Sequence, residues 1–423
     1  MPLITQAPKG TKDKLPAEIY KWHTVEKITK AVAETYGCKE IRTPTFEHTE
    51  LFERGMGGTT DVVQKEMYTF IDKGERSITL KPEGTAGAAR AALEHGLLGL
   101  ALPLKLFYFT SCFRYEAPQS GRLREHKQFG VEFYGAKKPL ADAEVISLAA
   151  DVFARLGLRG VRLEINSIGC PDCRGEYKRE LIGFYADKDL CNLCKDRLER
   201  NPLRLLDCKN PHCREISHSA PVITRHVCES CGGHFSAVKS ALSALGIAYT
   251  ENPRLVRGLD YYTNTVFEFK SDSLGAQDTI CAGGRYDGLI EELGGNPVSG
   301  LGFGMGLERL ILVMQSQDAA FEPAKTCDIY IAPLDTPAEL LGAKLVKNLR
   351  ESGFWAEIDL AGRGLNAQMK YADKLGARFS MVLGSNEVEG GKAVIKNMQS
   401  GEKFEVDLGG DFVGKFGGVL LDI

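Results

Sequence analysis

Phe113-Arg114-Tyr115-Glu116 runs through Pro118-Gln119-Ser120-Gly121-Arg122-Leu123-Arg124 into Glu125-His126-Lys127-Gln128. An apolar strand leads in, a polar and basic loop follows, and a second strand leaves. On alternate strand positions Arg114 and Glu116 point to one face of a sheet. An arginine buried there without a partner costs several kcal/mol, so it faces a ligand or a carboxylate. Taken alone, the fragment also reads as a surface hairpin with scattered charges.

Downstream, Gly300-Leu301-Gly302-Phe303-Gly304-Met305-Gly306 leads into Leu307-Glu308-Arg309-Leu310. Alternating glycines in a strand let another backbone or a flat ligand come close. Arg309 opens the following helix, near the end that favours an anion. The spacing is G-x-G-x-G, not the dinucleotide-binding G-x-G-x-x-G, and the run lies late in the chain. Between these stretches, Arg257-Gly258-Leu259-Asp260-Tyr261-Tyr262-Thr263 sets paired phenols beside a fixed charge. Taken alone, it reads more readily as a turn with two core tyrosines.

Working outward, Ala17–Tyr36 carries apolar residues at helical spacing, between Pro16 and Gly37. Lys39–Phe46 reads as a strand that meets Pro44. Glu66–Phe70 and Ser77–Leu80 flank a turn and read as a hairpin. Helices are expected at Ala86–Glu94, Ala141–Leu156 and Leu307–Gln315, and strands at Leu104–Phe109, Val131–Tyr134 and Tyr261–Lys270. Residues 169–248 depart from this pattern. They are cysteine-rich and helix-patterned, and read as an inserted module. Beyond the linker Asp318–Thr326, strands (Asp328–Ala332, Trp355–Asp359, Phe379–Leu383) alternate with helices (Ala338–Ser352, Asn366–Leu375). Such alternation argues for a separate α/β domain on a parallel or mixed sheet.

The 423 residues are 43% hydrophobic and 26% charged, ordinary for a soluble enzyme. The net charge of −3 decides nothing about nucleic acid, because a local basic patch is averaged away. No apolar run approaches the ~18 residues of a membrane helix. Met1–Gln6 lacks a secretory pattern, which leaves a cytoplasmic protein as the expectation.

The three chemical segments stand in the order seen in histidyl-tRNA synthetases, and the chain resembles that family over nearly its whole length. Pro8–Asp13 belongs to the resemblance. Glu40-Ile41-Arg42-Thr43-Pro44 with Phe46-Glu47 is similar to the family's dimer-forming first motif, and Leu80–Thr85 to its amino-acid loop. Phe113–Glu132 resembles the second class motif and Gly300–Arg309 the third. Arg257–Thr263 and Ala282-Gly283-Gly284-Arg285-Tyr286-Asp287 resemble two segments peculiar to histidine enzymes.

The resemblance implies a class II catalytic domain over 1–325, α+β with a mainly antiparallel sheet, interrupted by the helical Cys-rich module at 169–248. An α/β anticodon-binding domain would occupy 326–423. It implies a homodimer that activates L-histidine with MgATP and esterifies its tRNA. Arg114 would hold the α-phosphate and the substrate carboxylate, Arg257 would stabilise the transition state, and Arg309 would clamp the γ-phosphate. Glu116 and His126 would meet the adenine. Glu83, Gly84, Thr85, Gln128, Glu132, Tyr261 and Tyr262, with Arg114 and Arg257, would take the histidine. The family usually has arginine where Lys81 and Ala117 stand, and an adenine-stacking phenylalanine where His126 stands. A regulatory paralogue that binds no tRNA and a non-enzymatic RNA-binding protein share the fold. The first usually lacks the C-terminal domain and the arginine at position 257, and the second is opposed by Glu83, Arg114, Arg257 and Arg309.

Eight of the twelve cysteines lie between Cys170 and Cys231. Cys170/Cys173, Cys191/Cys194 and Cys228/Cys231 are C-x-x-C knuckles, and Cys208 and Cys213 form a looser pair. Four thiolates at such spacing suit tetrahedral zinc, and eight suffice for two sites. The other reading is reduced thiols inherited from a zinc-binding ancestor. Cys38, Cys112, Cys281 and Cys327 read as buried apolar residues.

Overall fold

Leu104–Phe113 and Glu125–Tyr134 pair antiparallel in unbroken register, from Leu104 opposite Tyr134 to Phe113 opposite Glu125. Both strands are longer than their apolar signal, because their outer ends carry polar residues toward the loop. The computed structural model describes residues 5–58 and 60–421. Met1–Ile4, part of the segment read for a secretory pattern, lies outside them.

This hairpin is the spine of an eight-stranded sheet. The strand order is Lys39–Glu40, Leu104–Phe113, Glu125–Tyr134, Gly300–Gly306, Thr279–Arg285, Thr263–Ser271, Val161–Ser167 and Thr250–Glu251. Every pairing is antiparallel except those of the two short outermost strands. The two-residue side-chain period sorts the faces. Phe107, Phe129, Val131, Phe133, Phe267, Phe269, Leu301 and Phe303 share a core with the helices Ile19–Thr35, Pro139–Arg155 and Leu307–Ser316. The opposite face carries Tyr108, Gly130, Glu132, Gly302 and Gly304, and the site is built there.

The cysteine-rich stretch folds as helices Pro171–Tyr185, Asn192–Arg200, Pro211–Ser217 and Glu229–Ala244. Its Tyr177, Leu181, Cys194 and Leu205 share a core with Tyr261 and Tyr286. Its last helix sends Phe235, Val238 and Leu242 into the core behind the sheet. Phe46–His48, Ser77–Leu80 and Tyr68–Ile71 form a three-stranded antiparallel sheet. The continuous strand expected over Lys39–Phe46 is instead two short strands, Lys39–Glu40 and Phe46–His48, separated around Pro44, which has no N–H for a ladder.

The chain divides into two compact units, Met1–Glu322 and Pro323–Ile423. The second has a mixed sheet in the order Ala356–Ile358, Ile329–Pro333, Phe379–Leu383, Lys392–Asn397, Lys403–Asp407. The first three of these strands are parallel and the last two add antiparallel. Ile329 and Ile331 face one core, Tyr330 and Ala332 another. Among the described residues no helix is long and apolar enough to cross a membrane. Cys38, Cys112, Cys281 and Cys327 are all buried.

Candidate active site

Glu132 stands mid-sheet with no exposed surface. Its carboxyl accepts hydrogen bonds from Thr85 Oγ1 at 2.8 Å, Tyr108 OH at 2.8 Å and Tyr286 OH. Burial outweighs these donors and pushes its pKa up to about 8. Glu83 lies just ahead of the helix Thr85–Glu94 and accepts from the Thr85 and Ala86 N–H groups at 2.7 and 2.8 Å. Burial raises its pKa too, against those donors and Arg114. Gln128 Oε1 accepts the Gly84 N–H at 3.1 Å. Glu83, Gly84, Thr85, Gln128 and Glu132 therefore form one hydrogen-bonded neighbourhood.

Glycines make the room. A Cβ on Gly302 would lie 2.1 Å from Val131 O and 2.4 Å from Glu132 Oε2, and one on Gly304 would lie 2.4 Å from Gln128 Nε2. A Cβ on Gly84 or on Gly130 would each lie 2.2 Å from the Tyr108 ring. The space opened by the alternating glycines holds side chains of neighbouring strands.

Tyr261, Tyr262 and Tyr286 cluster beside Glu132, with ring centroids 4.6 Å apart for Tyr261–Tyr262 and 5.5 Å for Tyr261–Tyr286. Arg257 lies 5.5 Å from the Tyr262 ring centroid and pairs with Glu268. Burial alone would lower the Arg257 pKa, but Glu268 and the phenols hold it raised. Glu268 also accepts from Thr279 Oγ1 at 3.0 Å. Through its carbonyl, Thr279 meets Arg309, whose Nε donates to Gly121 O at 2.9 Å. Arg257 and Arg309 thus flank one Thr279–Glu268 bridge.

Arg114 donates from Nε to Pro82 O at 2.8 Å, next to Glu83. Burial, then Arg114 and Arg309, push His126 down to about 3, so its imidazole is neutral. Burial and the nearby Arg122 and Arg114 lower Arg309 as well. Of the three arginines expected to act together, Arg309 and Arg257 are joined through Thr279–Glu268, whereas Arg114 is held at Pro82, beside Glu83. The expected placement of Arg114 and Glu116 on alternate positions of a strand is corrected. The strand ends at Phe113, and the Glu116 N–H bonds back to Arg114 O at 2.8 Å, which turns the chain. Glu116 instead pairs with Arg122 across a tight turn closed by Gln119 and Arg122. Gly121 sits there at φ 68, a conformation that favours glycine. Arg309 is the third residue of its helix, within the first turn, as expected. A cleft of about 370 Å³ beside the turn is lined by Lys65, Glu66, Tyr115, Glu116, Ala117 and Arg122, among others.

A family model described as histidyl-tRNA synthetase matches residues 10–310, and one described as an anticodon binding domain matches 328–413. A histidine–tRNA ligase of Acetivibrio thermocellus is 54% identical over 408 residues, 96% of this chain and 98% of the relative. The chain belongs to the histidyl-tRNA synthetase family. A second histidine–tRNA ligase, from Clostridium novyi, is 53% identical, covering 96% of this chain and 97% of its own. The crystal structure of apo histidyl-tRNA synthetase from S. aureus matches with a TM-score of 0.81 and 38% identity, over 96% of this chain and 98% of that one.

Within this histidyl-tRNA synthetase fold Lys81 is buried, and its Nζ donates to Thr43 O and Oγ1 at 3.2 and 3.1 Å. Burial lowers its pKa. Ala117 is exposed in the turn. Sequence reasoning missed Tyr108, Glu268 and Arg122 as site residues. The only sequence signal for the first two was their strand parity, shared with Glu132 and Val266 respectively.

Proposed function

We infer that this chain is a histidine–tRNA ligase: it activates L-histidine with MgATP and passes it to the 3′ end of tRNA. The observation that carries the reading is the junction of Arg309 and Arg257 at Thr279–Glu268, with Arg114 held at Pro82 beside Glu83, next to a buried carboxyl–phenol cluster.

A substrate carboxylate is already a nucleophile, so the first step needs no general base. Its oxygen bonds to the α-phosphorus while the bond to pyrophosphate breaks. Catalysis is then positioning and stabilisation of charge on phosphoryl oxygens, which permanently protonated, forked guanidinium groups suit. Arg114 holds the α-phosphate and the histidine carboxylate, Arg257 meets the transition state, and Arg309 clamps the γ-phosphate. Neutral His126 stacks on the adenine, and Glu116 receives its edge. Glu83 takes the α-ammonium. Glu132 and a tyrosine of the Tyr261–Tyr262 pair read the two ring nitrogens, while Gly84, Thr85 and Gln128 complete the wall. A site that satisfies both nitrogens rejects side chains lacking them.

The unit from Pro323 onward reads the anticodon, and the enzyme works as a cytoplasmic homodimer joined through the region of Glu40–Glu47. The cysteine module carries structural zinc. The regulatory alternative is opposed by the presence of both Arg257 and the C-terminal unit.

ATP–pyrophosphate exchange run with each of the twenty amino acids tests the reading. Exchange should depend on histidine alone. Folded protein that supports no exchange, or responds to another amino acid, removes the assignment.

A further inference from the structure

The eight module cysteines separate in space into two groups, one nested inside the other in sequence. Cys170, Cys173, Cys228 and Cys231 form one, and Cys191, Cys194, Cys208 and Cys213 the other. Within each group all four sulfurs lie within 4.8 Å of one another. Zinc–thiolate bonds of about 2.3 Å in a tetrahedron imply sulfur–sulfur edges of about 3.8 Å. The Cys170–Cys173 and Cys191–Cys208 sulfurs are 3.5 and 3.9 Å apart. That spacing fits one ion held by four thiolates. An iron–sulfur cubane would interpose irons and sulfides and force the thiolates farther apart.

The local backbone suits thiolates as well. Cys170, Cys191 and Cys228 each stand immediately before a helix, and Cys173, Cys194 and Cys231 lie in the first turns, at the positive helix ends. The Cys228 N–H donates to Cys173 Sγ at 3.0 Å, and the Cys191 N–H to Cys213 Sγ at 3.4 Å. The inner helices span only 9 and 7 residues, too short to persist on their own propensity. The first tetrad joins the two ends of the module, while the second is nested inside it and shares no ligand with the first.

The first tetrad also borders the site. Arg174, the residue after Cys173, donates from Nη1 to the carbonyl oxygens of Tyr262 at 2.8 Å and Asp260 at 3.2 Å. These are backbone atoms of the tyrosine loop that carries Arg257 at its start. We propose, resting on the zinc reading of the module, that the chain binds two zinc ions independently, one per tetrad, and that the first fixes Arg174 as a positioning residue for the histidine-binding tyrosines.

Elemental analysis of the full-length protein, purified without chelator, should find two zinc ions per chain. Cys228→Ser and Cys191→Ser should each lose one ion and keep the other. Arg174→Ala should keep both ions and raise the KM for histidine about tenfold, the worth of a charged hydrogen bond, with the KM for ATP unchanged. Arg174→Lys should recover part of that loss, since an ammonium can still reach a carbonyl. Native protein with no zinc and eight titratable thiols in the module overturns the zinc reading itself. One ion per chain, or loss of both ions from a single cysteine variant, overturns the two independent sites. Two ions with an unchanged histidine KM in Arg174→Ala overturns the positioning role alone.

Discussion

Three hydroxyl groups aim at Glu132, and burial still lifts its pKa from 4.5 to about 8. The folded protein therefore holds a proton that the unfolded chain gives up near pH 4.5. The stability this contributes is complete below that pH and is lost as pH rises toward about 8. Glu132→Gln removes the titration, so its stability relative to wild type should improve between pH 5 and 8, by on the order of 1 kcal/mol per pH unit. Melting curves of the two proteins that run parallel across that range would show that Glu132 keeps an ordinary pKa. Arg257 poses a different question, because its removal leaves Glu268 with Thr279 at 3.0 Å and Lys270 at 3.8 Å. The Glu268 carboxylate is thus not stranded, and Arg257→Ala should fold. We expect it still to bind histidine and to lose roughly 100- to 1,000-fold in adenylation rate, as when one preorganised charge-stabilising donor is deleted. Single-turnover adenylate formation at the wild-type rate would take Arg257 out of the mechanism.

At the level of the strand, the glycines of Gly300–Gly306 were legible as an invitation to close approach, but not their occupants. Gly302 lies opposite Glu132 and Gly304 opposite Gly130. Partners about 170 positions apart leave no trace in local periodicity. For the same reason Arg114 and Glu116 looked like strand neighbours: alternation is the strand signal, and the turn that ends it depends on Glu116 finding Arg122. The helices, whose pattern is local, were readable to within a few residues, as at Ile19–Thr35 and Leu307–Ser316. Two glycine variants separate architecture from pocket shape. In Gly302→Ala the new methyl meets the Val131 carbonyl, a backbone atom that cannot swing aside, so about 1–3 kcal/mol of stability should be lost. In Gly304→Ala it meets the end of the Gln128 side chain, which can rotate away. That variant should melt close to wild type and show a raised KM for histidine. Equal melting temperatures for the two variants would contradict this division.

Over the whole chain, each unit has its own buried cores, around Phe129 and Tyr286 in the first and around Ile331 and Tyr330 in the second. The alternating strands and helices after Asp328 made the second unit legible as α/β. Its antiparallel hairpin Lys392–Asn397 and Lys403–Asp407 was not read, because its short strands are bounded by Lys392 and Asn397, and by Lys403 and Asp407, which leaves only two or three apolar residues in each. All residues placed in the adenylation chemistry lie in the first unit, within the 10–310 match, whereas the anticodon-binding match, 328–413, lies in the second. Histidine activation and tRNA selection should therefore part when the chain is cut at the boundary after Glu322. The first unit alone should support histidine-dependent pyrophosphate exchange, since neither its cores nor its site residues are removed. Aminoacylation should fall about a hundredfold or more, because losing one of two linked binding modules removes the gain from effective concentration. Measured side by side on the truncated and full chains, a matched fall in exchange and aminoacylation would mean that the second unit serves the catalytic site itself. Full aminoacylation by the truncated chain would mean that the second unit contributes nothing to tRNA binding.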